Sequence, residues 1–139
     1  MERFEIPGEL LMGYAPIDDG HRYLIALFNG IVSLPESASA GQFAERYETF
    51  ACAFEAHCTS ELEMLRAFDY PDTETHSKHH DDLIAQARKF GDAAKTQKFT
   101  GKMKEQFLSK TIWILLEDAI GEDPKVKPFL VNQGIIKTS

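Results

Sequence analysis

Two pairs of possible metal ligands stand out in the sequence, His57 with Glu61 and His76 with His80, each spaced four residues apart. On an α-helix, residues four apart lie one turn apart on the same face. Residues 66–72, between the pairs, predict a helix end and a turn. Two antiparallel helices joined there would bring three imidazoles and one carboxylate together. Such a set of side chains is typical of a metal site.

Both pairs continue apolar stripes that predict buried helix faces, because the stripe residues recur at steps of three and four. Burying histidine beside glutamate costs several kcal/mol unless the groups are paired or coordinate a metal. The pattern therefore favours a metal. The stripe residues are Phe43, Tyr47, Phe50 and Phe54 before the first pair, and Leu83, Ala87, Phe90 and Ala94 after the second.

Three further candidate ligands lie on two other predicted helices. His21 begins an apolar stripe in the first helix, and Asp118 follows Ile114 by one turn on a core-facing lane of the fourth. Asp123 ends the neighbouring lane, just before Pro124. Spacing alone leaves open whether Asp123 faces the core or is a solvated acid at the helix end. His79, by contrast, falls on the other face of the third helix.

The candidates suit iron, zinc or manganese, since imidazole and carboxylate ligands bind all three. Inward-facing histidine and glutamate in a bundle core is the usual way to build a di-iron centre. A structural zinc site needs only four ligands and usually recruits cysteine, so seven candidates are too many for one zinc. The candidates are His21, His57, Glu61, His76, His80, Asp118 and Asp123.

The helical periodicity predicts an all-α fold, an up-down-up-down antiparallel four-helix bundle with an N-terminal arm and a short C-terminal tail. At 139 residues and 43% hydrophobic content, the chain fits one domain over residues 1–139 with a core of its own. Asp18 is predicted to cap the first helix. The helices are expected at about 18–34, 42–68, 74–94 and 101–120.

Charge and cysteine content narrow the possible partners and compartment. A net charge of −7 without clustered Lys or Arg disfavours binding to nucleic acid or to an anionic membrane. No apolar run is long enough to span a bilayer. Cys52 and Cys58 would lie about 9 Å apart along one helix, so free thiols and a reducing cytoplasm are expected. For Cys58 we expect a packing role.

The ligand spacing resembles that of the hemerythrin family, in particular its single-domain bacterial members. The resemblance covers about residues 4–130 and implies a four-helix bundle that holds two iron ions with a bridging oxo or hydroxo group and binds O₂. The matching motifs are Ile17-Asp18-x-x-His21, His57-x-x-x-Glu61, His76-x-x-x-His80 and Gly121-x-Asp123.

The resemblance also implies a role for each ligand. His21 and His57 would hold the iron with the open position, and His76 and His80 would hold the other. Glu61 and Asp123 would bridge the two.

The sequence departs from the family at three positions of interest. The family has a histidine ligand five residues before the last aspartate, where this chain has Asp118. Gly20 stands where glutamine is common and Cys58 where phenylalanine is common. An ionised Asp118 would add negative charge and favour Fe³⁺ over Fe²⁺, or would reach the iron through a water.

The resemblance implies a protein that binds, stores or senses O₂ or a similar small diatomic or peroxide ligand, more a binding protein than an enzyme. One alternative is an oxidase-type di-iron enzyme that acts on Fe²⁺, peroxide or nitric oxide. Another is an iron or redox sensor with an incomplete metal site. The spectra of the reduced protein after exposure to O₂ would separate these functions.

Overall fold

The computed structural model describes residues 13–35, 37–96, 101–118 and 123–136, and these residues form helices without any strand. The predicted all-α class is therefore confirmed for the described part of the chain. Consecutive helices pack as a bundle, α1 on α2, α2 on α3 and α3 on α4. The helices are α1 (Ala15–Val32), α2 (Ala40–Ala67), α3 (Thr73–Thr96), α4 (Gly101–Glu117) and α5 (Asp123–Asn132). In the described part, none is long and apolar enough to cross a membrane.

The predicted cap of the first helix is wrong, because α1 begins before Asp18. Tyr14 is the N-cap residue and Pro16 lies in the first turn, where the missing N–H of a proline costs no helical hydrogen bond. Asp18 lies inside the helix, and its Oδ2 accepts a hydrogen bond from the Gly13 N–H at 2.8 Å. Gly13 has a φ of 83°, which a glycine adopts without strain.

A reciprocal pair of hydrogen bonds fixes the start of α2. The Gln42 N–H donates to Ser39 Oγ at 3.1 Å, and the Ser39 N–H donates to Gln42 Oε1 at 2.9 Å. This capping box satisfies two backbone donors that have no partner within the helix. Consequently α2 begins at Ala40, two residues before the expected start at 42.

A tight turn separates α2 from α3 and connects the helices that carry the two ligand pairs. The Tyr70 N–H donates to the Leu65 carbonyl and the Asp69 N–H to the Arg66 carbonyl. These are the two bonds of a Schellman motif. Asp69 takes its left-handed position, with a φ of 57°. Thr73 Oγ1 then donates to the Tyr70 carbonyl at 2.6 Å, at the first residue of α3.

The buried apolar side chains form two separate clusters. The larger, which we call the main apolar cluster, includes the aromatic stripe of α2 and apolar residues of the other long helices. The smaller, the second apolar cluster, joins the ends of α1 and α2 to the C-terminal part of the chain. Its buried members are Ile17, Leu65, Tyr70, Val126, Leu130 and Ile136.

Part of the expected C-terminal tail is a helix, α5, which the sequence analysis did not predict. Two prolines, at 124 and 128, and Gly134 suggested an irregular segment. Pro124 lies in the first turn of α5, where a backbone N–H has no partner within the helix, so it costs no hydrogen bond. Pro128 lies inside α5 and removes one backbone donor. Packing compensates for this loss, since Val126 and Leu130 are completely buried in the second apolar cluster.

Candidate metal centre

Six of the seven predicted ligands lie together in one polar layer of the bundle. Along α2 the layer falls between Phe54 of the main apolar cluster and Leu65 of the second. Along α1 it likewise falls between Leu24 and Ile17. The packing of the helices thus places possible ligands from several helices at one level, between two apolar clusters. We call this set the His/carboxylate layer: His21, His57, Glu61, His76, His80 and Asp118.

The layer is almost completely shielded from water. His76 and His80 have no exposed surface, and Asp118 and Glu61 are 1% and 3% exposed. A buried carboxylate loses several kcal/mol of hydration free energy, which only close partners can restore. The two carboxylates therefore require compensating positive charge, either protons on the imidazoles or a bound cation.

Glu61 faces histidines of both α2 and α3. Its Oε1 accepts a hydrogen bond from His76 Nε2 at 2.5 Å and lies 3.6 Å from His80 Nε2. Its Oε2 lies 3.3 Å from His57 Nε2. The two oxygens of one carboxylate thus face two different groups of imidazoles.

Asp118 repeats this arrangement from the end of α4. Its Oδ2 accepts a hydrogen bond from His21 Nε2 at 3.0 Å and lies 3.5 Å from His57 Nε2. Its Oδ1 accepts a hydrogen bond from His80 Nε2 at 3.0 Å. All four imidazoles of the layer therefore direct Nε2, the same ring nitrogen, at carboxylate oxygens.

The contacts shift the pKa values of His57 and Asp118 in opposite directions. Burial lowers the pKa of His57, but its contacts with Asp118 and Glu61 outweigh burial and raise the pKa to about 9. For Asp118, burial favours the neutral acid, whereas contacts with His21, His57 and His80 hold the pKa well below its usual range. Without a metal, His57 is therefore protonated at neutral pH beside an ionised Asp118.

The donor set of the layer fits a pair of metal ions. His21, His57, Glu61 and Asp118 form one group whose ligand atoms lie within 4.8 Å of one another, and Glu61, His76 and His80 form a second. His57 Nε2 faces both carboxylates at ion-pair distance, without hydrogen-bond geometry to either of them. A cation between these atoms would coordinate nitrogen and oxygen atoms that now only approach one another.

Gly20 makes room for one of the imidazoles. A Cβ atom at this position would lie 2.5 Å from Nδ1 and 2.8 Å from Cε1 of His57. A Cβ atom does not approach another side chain this closely, so any other residue at 20 would push the His57 ring aside. The departure from glutamine at this position, noted in the sequence, thus has a steric consequence inside the layer.

Cys58 lies closer to the layer than the sequence analysis suggested. It packs in the main apolar cluster, as expected, and has no exposed surface. Its Sγ also forms a group of possible ligand atoms with His80 and Asp118, all within 4.8 Å. A signal was present in the sequence, since Cys58 precedes Glu61 by three residues and so shares its helix face. Cys52, in contrast, is exposed.

Two further residues considered in the sequence, Asp123 and His79, are not part of the His/carboxylate layer as the structure describes it. Asp123 begins α5, but its side chain lies outside the described residues, so its predicted bridging role stays a prediction. His79, next to His80 on α3, directs Nε2 at the backbone carbonyl of Glu117 at 3.3 Å. Its contact is therefore separate from the carboxylates of the layer.

A small cavity reaches the layer from between α1 and α2. It has a volume of about 30 Å³, enough for a molecule the size of water. Two of the residues that line it, His57 and Glu61, belong to the layer. The remaining walls are Pro16, Ile17, Ser60 and Met64. The cavity thus provides space for a small molecule beside the His57 imidazole.

Comparison with known proteins gives one informative similarity. No family model matches the sequence, and no solved structure matches it. A curated protein from Theromyzon tessulatum, "Myohemerythrin", is 32% identical over 71 residues, which are 51% of this chain and 54% of that protein. The chain thus spans about half the length of the curated relative it matches. Together with the possible metal ligands of the layer, this distant similarity suggests a hemerythrin-like protein.

Proposed function

We propose that this protein belongs to the hemerythrin family and is a non-haem di-iron protein that binds, stores or senses O₂. One observation carries the proposal: three buried imidazoles and a fourth, partly buried one, His57, direct the same ring nitrogen at the oxygens of two buried carboxylates. Histidine and carboxylate ligands facing each other in a bundle core are the usual environment of a di-iron site. The similarity to a myohemerythrin supports iron over zinc or manganese.

In this proposal the chain supplies two groups of ligands. His21 and His57 would hold one iron, His76 and His80 would hold the other, and Glu61 would contribute an oxygen to each. Bound iron would supply the redox chemistry and the affinity for O₂. The apolar clusters on both sides of the layer keep bulk water away, which strengthens the interactions of the ligands with the metal. Asp123, beginning α5, is proposed as a further bridging ligand.

The cavity between α1 and α2 is the proposed route for a small ligand. It opens beside His57 and Glu61, so a diatomic molecule would arrive at the iron held by His21 and His57. Met64 and Ser60 line this cavity and make no other contribution to the proposed centre. A bulkier residue at Ser60 should therefore slow the reaction with O₂ while leaving the iron content unchanged.

We also propose the wider organisation that the sequence indicates. Helices α1 to α4 form one domain as an up-down-up-down antiparallel bundle, with α5 packed against the ends of α1 and α2. Neither Cys52 nor Cys58 forms a disulfide, which is consistent with a reducing cytoplasm. The expected ligand is O₂ or a similarly small diatomic molecule or peroxide, with no role for nucleic acid or a membrane.

The first test is metal content. Protein loaded with Fe²⁺ under anaerobic conditions should hold about two irons per chain, as expected of a carboxylate-rich bundle core. The His80→Ala variant should lose at least one iron, because it removes a buried ligand. His79→Ala is the matched control, since it removes a neighbouring imidazole that contacts the Glu117 carbonyl and belongs to none of the groups of possible ligand atoms among the described residues. Zinc alone in protein from iron-grown cells, or equal iron in both variants, would overturn the proposal.

The second test separates binding from turnover. Stopped-flow spectra of the reduced protein mixed with O₂ should show a charge-transfer band that disappears when O₂ is removed. Rapid bleaching to the ferric form would instead favour an oxidase-type enzyme that acts on Fe²⁺, peroxide or nitric oxide. The second buried carboxylate, Asp118, favours this alternative because its negative charge stabilises ferric iron.

A further inference from the structure

We propose that Asp118 is a bridging ligand that spans both metal ions, a carboxylate bridge in addition to Glu61 and to the proposed bridge at Asp123. This inference rests on the proposed di-iron function and deepens it. It differs from the expectation that Asp118 takes the place of a histidine ligand, since a histidine there would bind one iron only. The contacts of its two carboxylate oxygens carry the inference.

Asp118 divides its oxygens between the two groups of imidazoles. Oδ2 lies 3.0 Å from His21 Nε2 and 3.5 Å from His57 Nε2, whereas Oδ1 lies 3.0 Å from His80 Nε2. An ion held by His21 and His57 would therefore meet Oδ2. An ion held on α3 would meet Oδ1.

The two carboxylate oxygens of Glu61, on α2, are divided between the imidazoles in the same way. Its Oε2 faces His57 at 3.3 Å, and its Oε1 faces His76 at 2.5 Å and His80 at 3.6 Å. Two carboxylates, one from α2 and one from the end of α4, thus relate the same two groups of imidazoles in the same way. Parallel bridges of this kind hold two cations at a fixed separation.

The choice of aspartate at 118 has a chemical reason in this geometry. The two oxygens of a carboxylate are equivalent and each can donate a lone pair to a different cation. The ring nitrogens of histidine point away from each other, so a single imidazole would serve one ion. The added carboxylate also compensates more of the charge of two divalent ions in a buried site, where charge is poorly screened.

The position of Asp118 makes the bridge rigid. Asp118 directly follows α4 and is 1% exposed, and three imidazoles from α1, α2 and α3 surround its carboxylate. Its neighbour Glu117 is exposed and does not belong to the groups of possible ligand atoms. Glu117 therefore provides a control that removes the same charge from the same helix end without touching the layer.

The experiment uses Mn²⁺ as the metal, because electron paramagnetic resonance distinguishes a magnetically coupled pair from isolated ions. Wild-type protein, Asp118→Asn and Glu117→Gln are titrated with Mn²⁺, and binding is followed by calorimetry and by resonance spectra. Wild type and Glu117→Gln should bind two ions with a coupled spectrum. Asp118→Asn keeps the size of the side chain but offers one carbonyl oxygen, so it should bind one ion tightly and give an uncoupled spectrum.

The outcomes separate this inference from the proposed function. If wild type and Asp118→Asn both bind two coupled ions, the bridge at Asp118 is wrong and the two-metal proposal stands. If wild type binds fewer than two ions, both are wrong. Should Asp118→Asn fail to fold, a crystal structure of Mn²⁺-loaded wild type decides the question. One oxygen of Asp118 bound to each of two ions about 3.5–4 Å apart supports the bridge, and both oxygens on one ion overturn it.

Discussion

The main apolar cluster and the His/carboxylate layer occupy neighbouring stretches of the same helices and are equally buried, yet they are stabilised in different ways. In α2, Phe50 and Phe54 pack among apolar side chains, and the next turns carry His57 and Glu61. The aromatic side chains are stable wherever water is excluded. The imidazoles and carboxylates are stable there only in the right protonation or metal-bound state.

The few polar groups of the main apolar cluster reinforce the contrast. Thr111 Oγ1 donates to the Phe107 carbonyl at 2.7 Å, and the Tyr47 hydroxyl donates to Thr111 Oγ1 at 2.6 Å. Each donor is satisfied by a fixed neutral acceptor, so neither pH nor metal enters. The comparison shows that two equally buried regions can differ in whether their stability depends on pH and metal. The contribution of the main apolar cluster to stability should be the same with and without metal, whereas the contribution of the layer should increase when metal binds.

The largest expected effect is in the main apolar cluster. Phe50→Ala should lower the free energy of unfolding by about 3–5 kcal/mol, because Phe50 has no exposed surface and its removal leaves a cavity. Urea denaturation with and without bound metal should show the same loss. If the metal-dependent gain in stability disappears in this variant, the two regions are not independent.

The second prediction concerns pH and the layer. The pKa of His57 is raised to about 9 in the folded protein from an ordinary 6.5, so folding favours its protonated form. This contribution, on the order of 2–3 kcal/mol, is fully present below pH 6.5 and is lost as pH rises through 9. Urea denaturation of metal-free protein between pH 6 and 9.5 should show the decline. The free energy of unfolding of His57→Gln should not fall over this pH range. An equal fall in this variant would mean that another group causes the pH dependence.

Two glycines of α1 offer a matched pair of substitutions. Gly20→Ala should displace the His57 ring and cost about 1–3 kcal/mol, with weaker metal binding, because its Cβ would lie 2.5 Å from Nδ1. Among the described residues, the Cβ of Gly30→Ala would contact Arg46 Nη1 at 3.6 Å, an ordinary van der Waals distance, so this change should stabilise the helix by up to about 1 kcal/mol. Thermal melting and metal titration of both variants are the measurements. If Gly20→Ala and Gly30→Ala bind metal with similar affinity, the His57 ring can move away from residue 20 without weakening metal binding.

The smallest expected effect tests the neutral hydrogen bond of the main apolar cluster. Tyr47→Phe should lower stability by about 1 kcal/mol, since it removes one buried donor while Thr111 keeps its bond to Phe107. Burial raises the pKa of Tyr47 to about 12, so this loss should not vary between pH 6 and 9.5. Chemical denaturation across that range is the check. A pH-dependent loss would show coupling between the cluster and the layer.

Much of the fold was predictable because it is local. The periodicity of apolar residues identified the faces of the long helices that become buried, among them Phe50 and Phe54 of α2. The cap of α1 was predicted wrongly because Asp18 has the side chain of a typical cap residue but lies within the helix. From there it accepts a hydrogen bond from the N–H of Gly13, which precedes the helix. The short helix α5 was missed because its stability depends on packing against α1 and α2 and overrides the breaking tendency of its prolines.

By itself, the sequence determined which chemical groups are available and which helix faces carry them. Spacings of three and four residues fix the face of a helix regardless of its neighbours, which is why His57 and Glu61 could be paired from the sequence. Only the tertiary structure decided which atoms meet. The contact of each Asp118 oxygen with a different group of imidazoles and the approach of Gly20 to His57 depend on the rotation and axial offset of packed helices. Side-chain packing between helices sets those two quantities, and no spacing within one helix contains them.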